Sequence, residues 1–138
     1  MGQQSGEAGQ DEGPVHTVRL DGFCLDRTEM SDSPGGTPLQ FDDWEAAKAA
    51  CSARGGRLPT EAEFEKAARG GCELGIDPDH CDSGDTRRFP WGDEPPNCKL
   101  ANHSAASPMG PQRCDKGPTS NVNMDGAGPY GHLHLAGN

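Results

Sequence analysis

Apolar and polar positions alternate early in the chain. Val15, Thr17 and Arg19 interleave with His16, Val18 and Leu20, a period of two that predicts a strand over about 15–20. Asp21-Gly22 reads as a turn, with Phe23 and Leu25 on the returning strand of a hairpin. Residues 31–38, SDSPGGTP, are turn-forming throughout. The period then changes to that of a helix. Asp42 is placed to cap it, Glu45 to complete a capping box and Phe41 to act as a hydrophobic staple. The body WEAAKAACSAR puts Trp44, Ala47 and Cys51 on one face, and Gly55-Gly56 ends it. A second helix opens at Thr60, with Glu63 three residues on for another capping box, and stops at Gly70-Gly71. Its apolar face is Phe64, Ala67 and Ala68, and the small alanines predict close approach to another element. From residue 72 to 138 no period survives.

Composition sharpens this picture. Leu, Ile, Val and Phe number sixteen of 138 residues, against 20 Gly and 12 Pro, and the formal net charge is −10. So thin an aliphatic content excludes a Leu-rich bundle and a Val/Ile-rich doubly wound sheet, and leaves a loop-rich fold that needs bracing from something besides its core. No apolar run approaches the ~20 residues of a membrane span. With 22 acidic side chains facing 12 basic ones, a nucleic-acid partner is not expected.

Cys24, Cys51, Cys72, Cys81, Cys98 and Cys114 are the candidate brace. The even number and wide spacing suit disulfides and an extracytoplasmic compartment; six reduced thiols are the competing reading. No short C-x2-4-C pair suggests zinc. Fifteen pairings are open. Neighbouring pairs close the shortest loops at least entropic cost, which favours Cys72–Cys81 and Cys98–Cys114 and leaves Cys24–Cys51. The opening MGQQSGEAGQDEG has no apolar h-region, so an export signal is expected further upstream.

The run from Arg57 to Gly71, RLPTEAEFEKAARGG, closely resembles the signature of the formylglycine-generating enzyme (sulfatase-modifying factor) family. Weaker matches keep the family's order: Glu12, Pro14, His16, Val18, Leu20 and Phe23; then Glu29-Met30-Ser31; then Phe89-Pro90-Trp91-Gly92-Asp93; then Ala101-Asn102; then Tyr130-Gly131 through Ala136-Gly137-Asn138. The resemblance implies one partial domain over residues 1–138, of α+β class. The fold implied is C-type-lectin-like, with little regular secondary structure, long loops and two short helices. The family oxidises a cysteine of sulfatases to formylglycine with O2 and copper held by two thiolates, so a sulfatase-like protein or peptide is the implied partner. None of the six cysteines matches that pair, and the family's V-W-E-W and its cysteines would follow Asn138. Copper is therefore expected only in a full-length member, and no catalytic residue is assigned here. Phe64 stands where the family usually has Trp, and His134 where an Asp or Asn would ligate calcium.

Calcium suits an acidic, loop-rich chain because it takes several oxygens from Asn, Asp and backbone carbonyls. By resemblance, Asn102 and His103 (through its carbonyl) match one site, and Gly137 with Asn138 matches part of another. Asp77, Asp79, Asp82 and Asp85 do not follow EF-hand spacing and read as a solvated acidic loop. Asn102-His103-Ser104 is also a glycosylation sequon. His132 and His134 share a face if extended and would then clamp a metal, although ordinary loop histidines are the commoner outcome. Arg57, Glu61, Glu63 and Arg69 look catalytic, but acids at a helix start and a base at its end are what the macrodipole favours. The expected function is thus a sulfatase-modifying-factor-type oxidoreductase domain; the alternatives are a non-catalytic extracellular lectin-like binding module or a degenerate fragment.

Overall fold

The computed structural model describes residues 16–33, 36–75, 87–102 and 126–136. Among the described residues, regular structure is confined to α1 (Trp44–Ala53), α2 (Glu61–Arg69) and a 3-10 turn at Cys72–Leu74. Among the described residues the only β pairings are isolated bridges, Ser31 with Pro38 and Phe89 with Gly92. The strand half of the α+β expectation is therefore not met there, and the expected hairpin is absent over its described part, residues 16–25. Leu25 and Arg27 find their partners at the other end of the chain instead. The Arg27 carbonyl accepts from Leu133 N at 2.8 Å, and the Leu25 carbonyl accepts from His132 Nε2 at 3.3 Å. A period of two marks extended backbone without naming what it lies against.

α2 is built as its sequence dictates. Thr60 Oγ1 accepts from Glu63 N, and the Glu63 carboxylate accepts from Thr60 N, so the capping box closes in both directions. Gly70 ends the helix at φ 89°, a left-handed conformation that suits glycine. The buried residues are Glu63, Ala67 and Ala68, whereas Phe64 is left exposed. The alanines allow the close approach their size suggests: a Cβ on Gly128 would lie 3.1 Å from the Ala67 carbonyl oxygen.

α1 differs from expectation by one residue. Asp43, not Asp42, is its N-cap and accepts from Ala46 N at 2.8 Å. An aspartate at either position can bond an orphan helix N–H, but with Asp43 in that role the third helical residue is Ala46. Glu45 cannot close a capping box from its new position, and Phe41 loses the staple register. No residue of α1 is buried. Trp44 is 60% exposed, with the Lys48 ammonium 4.5 Å from its ring centroid. The helix is tied back by Arg54 Nη2, which donates to the Ser31 carbonyl at 3.0 Å.

Around the end of α2 the remaining segments interlock through backbone. Arg87 N donates to the Arg69 carbonyl at 3.0 Å, and Arg69 Nε returns a bond to the Arg87 carbonyl at 2.8 Å. The FPWGD segment folds into a tight turn in which Phe89 and Gly92 exchange both backbone bonds. The Phe89 and Trp91 rings stack at 5.3 Å. Gly126 presses on Leu100 so closely that a Cβ there would fall 1.9 Å from its carbonyl oxygen. Ala67, Ala68 and Ala101 are buried, as are Pro38 and Pro90, and Glu63 and Asn102 are the buried polar residues among those described.

Candidate functional site

Most charged residues of the signature are engaged in structural contacts, and Glu61 stands in the first turn of α2 where the macrodipole favours an acid. Arg57 grips Glu63 bidentately, at 2.7 and 2.6 Å, and Thr60 adds donors from its N–H and its hydroxyl. The Arg57 bonds are the main reason the Glu63 carboxyl is pulled down to about 2, with Thr60 N–H adding to it. Arg69 reaches Glu65 at 3.1 Å and the Arg87 carbonyl. A carboxylate held so far down, with its acceptor oxygens occupied, is a poor proton acceptor at neutral pH. The helix-terminus reading of these residues is the one their contacts support.

A second cluster could not be read from sequence. Lys66 donates to Glu73 at 2.6 Å, and the Tyr130 hydroxyl donates to the same carboxylate oxygen. Partial burial pushes Glu73 up, but the bonds from Lys66 and Tyr130 prevail and bring it to about 2. Burial and the Glu73 carboxylate together raise the Tyr130 phenol, which keeps its proton. The seven-residue gap between Lys66 and Glu73 spans the Gly70 turn, so no helical spacing announces the pair. A cleft of about 420 Å3, lined by Asp26 through Ser33 and by Arg54, was equally illegible, since Arg54 is distant in sequence from the segment it closes.

The expected site residues are only partly described. Asn102 is buried, at 5% exposure, on the segment that Gly126 covers. His103, Gly137 and Asn138 lie outside the described residues, as do Asp77, Asp79, Asp82 and Asp85. Cys24 and Cys51 are free thiols, which corrects the expected bridge between them: Cys24 is exposed on an irregular segment, while Cys51 is half-buried on α1. Cys72 and Cys98 are disulfide-bonded. The expected partners, Cys81 and Cys114, lie outside the described residues. Among the described residues no three His, Cys, Asp or Glu side chains gather as a metal site. No helix there is long and apolar enough to cross a membrane.

The family of sulfatase-modifying factor enzyme 1-like domains matches residues 31–138, most of the chain. The chain belongs to that family. Within it, similarity is 32% identity over 126 residues to the formylglycine-generating enzyme of Thermomonospora curvata, covering 80% of this chain and 34% of that enzyme. It is 40% over 73 residues to the hercynine oxygenase of Mycolicibacterium smegmatis, and 38% over 73 residues to that of Mycobacterium tuberculosis. Each of those alignments covers 53% of this chain and 15% of the relative. The chain thus spans about a third or less of the curated relatives it matches. No solved structure gives a significant match.

Proposed function

We propose that this domain works in an oxygen-dependent oxidoreductase of the formylglycine-generating kind, which converts a cysteine side chain of a sulfatase-like protein or peptide to an aldehyde. The observation that carries this reading is the similarity to the T. curvata enzyme over 80% of the chain, against 53% for the hercynine oxygenases. In this reading the described residues are scaffold, because Arg57, Glu63, Glu65, Lys66 and Arg69 of the signature are committed to caps and ion pairs. Copper(I) would supply the oxidising centre in the family, and soft thiolates are its ligands. The free thiols among the described residues do not fit that role. Cys24 and Cys51 sit on separate elements with no third ligand gathered beside them.

The proposal includes the lectin-like topology, structural calcium at Asn102 with the His103 carbonyl and at Gly137 with Asn138, and an extracytoplasmic location. Support for calcium comes from the oxygen donors of that set and the burial of Asn102. Support for the location comes from the bonded state of Cys72 and Cys98. The test is to incubate the whole protein with O2, copper and either a sulfatase-derived cysteine peptide or hercynine with a thiol. Aldehyde on the peptide, captured by hydrazide and read by mass spectrometry, is the expected result. Oxidation of hercynine without peptide aldehyde would overturn the reading, and the absence of both products would favour a non-catalytic binding module.

A further inference from the structure

Asn102 opens the chain's one Asn-x-Ser/Thr triplet, Asn102-His103-Ser104. A triplet that receives sugar belongs on a surface loop, where the amide projects into solvent. The fold places Asn102 otherwise. Its exposure is 5%, and that of its neighbour Ala101 is 4%. Successive side chains leave the backbone in different directions, so burial of both means that the segment is covered on more than one side. Gly126 is part of that cover: a Cβ there would run into the Leu100 carbonyl and lie 3.0 Å from Trp91 Cε3. The turn that delivers Asn102 is pinned as well. Leu100 N and Ala101 N both donate to the Asn97 carbonyl at 3.0 Å, Lys99 N donates to Asn97 Oδ1 at 2.9 Å, and Cys98 is disulfide-bonded. The cleft beside Asp26–Ser33 does not include Asn102 in its wall. A sugar on this amide would have to displace packed backbone, and a close-packed interior does not yield such a volume.

We propose that N-glycosylation at Asn102 and folding of this domain exclude one another: Asn102 accepts sugar only in the unfolded chain, and a chain glycosylated there cannot reach the fold described above. In the transfer, the Asn102 side-chain nitrogen bonds to the anomeric carbon of a lipid-linked oligosaccharide diphosphate. The carbon–oxygen bond to the diphosphate breaks, the lipid diphosphate leaves with the electron pair, and the amide nitrogen gives up one proton. Nothing in the inference requires bound calcium or the oxidoreductase reading, since it rests on the burial of one side chain.

The test gives the whole protein, either folded or reduced and unfolded, to an oligosaccharyltransferase with a lipid-linked oligosaccharide donor. Occupancy of Asn102 is read by mass spectrometry after peptide N-glycosidase treatment in heavy-oxygen water. The expected result is occupancy in the unfolded sample, and its loss both in the folded sample and in unfolded Ser104→Ala, which keeps Asn102 but breaks the triplet. The glycosylated chain, returned to oxidising refolding conditions, should stay sensitive to protease. Unmodified chain carried through the same steps without donor should regain its resistance. Three outcomes overturn the proposal: sugar on Asn102 of the folded protein, a glycosylated chain that refolds as well as the unmodified one, or no occupancy of the unfolded chain.

Discussion

Glu63 is the acid on which the entry to α2 turns. It is buried, yet it meets two donors from Arg57 and two from Thr60, so the charge is compensated at every step. Its carboxyl is lowered from 4.5 to about 2 by those bonds, Arg57 first. A group whose folded pKa is depressed contributes stability that is complete above its unfolded value and fades as pH falls toward the folded one. The contribution of Glu63 should therefore be whole at pH 6 and largely gone near pH 2, and Glu73, also lowered to about 2, should add to the same acid-side loss. Glu63→Gln should lower the melting midpoint by several degrees at pH 6, and the gap to the unmodified protein should close at pH 2–3. A constant gap across that range would show that the carboxylate is not the source of the effect.

At the scale of the element, the two helices differ in how they are held. α2 has a closed capping box, two buried alanines and a glycine stop, and every one of these is local chemistry that survives in the fold. α1 has its cap, its glycine stop, one arginine tether and exposed Lys48 contacts to Trp44 and Glu45, and none of its residues is fully buried. Its stability should accordingly be sensitive to which aspartate does the capping. Replacing an N-cap Asp by Ala typically costs about 1 kcal/mol. Asp43→Ala should show a loss of that order in urea unfolding, while Asp42→Ala should stay within about 0.5 kcal/mol, as exposed surface changes do. Equal losses would restore the Asp42 register. The one-residue slip was not decidable in sequence because both aspartates offer the same acceptor, and only backbone geometry (Asp43 extended, at φ −150°) separates them.

For the whole molecule, bracing matters more than core. The buried apolar side chains among the described residues are small, three alanines and two prolines, and Phe41, Trp44, Phe64, Leu74 and Tyr130 stay exposed. What joins the parts is backbone in close contact: Gly126 on Leu100, Gly128 on Ala67, Arg87 against Arg69. A net charge of −10 adds self-repulsion that a divalent cation relieves. Calcium at a hundredfold excess over its dissociation constant would contribute about 2.7 kcal/mol. The proposed calcium sites therefore predict a higher melting midpoint in millimolar calcium than in chelator, with Asn102→Ala shrinking the difference. Superimposable melting curves in the two buffers would remove calcium from the account and leave the disulfides as the brace.

The sequence by itself determined both helices, the α2 capping box, the glycine stops and the family, because each rests on neighbours within a few residues or on a contiguous signature. It also placed Asn102 as a candidate ligand, on resemblance alone. What sits beside what was decided only by tertiary structure. Leu25 and Arg27 pair with 132–133 rather than with a hairpin partner; Lys66, Glu73 and Tyr130 converge across the Gly70 turn; and Cys24 and Cys51 stay unbridged. Those contacts join residues far apart in a loop-rich chain. Local patterning carries no information on such closures, since their outcome depends on which backbone groups meet when the whole chain packs.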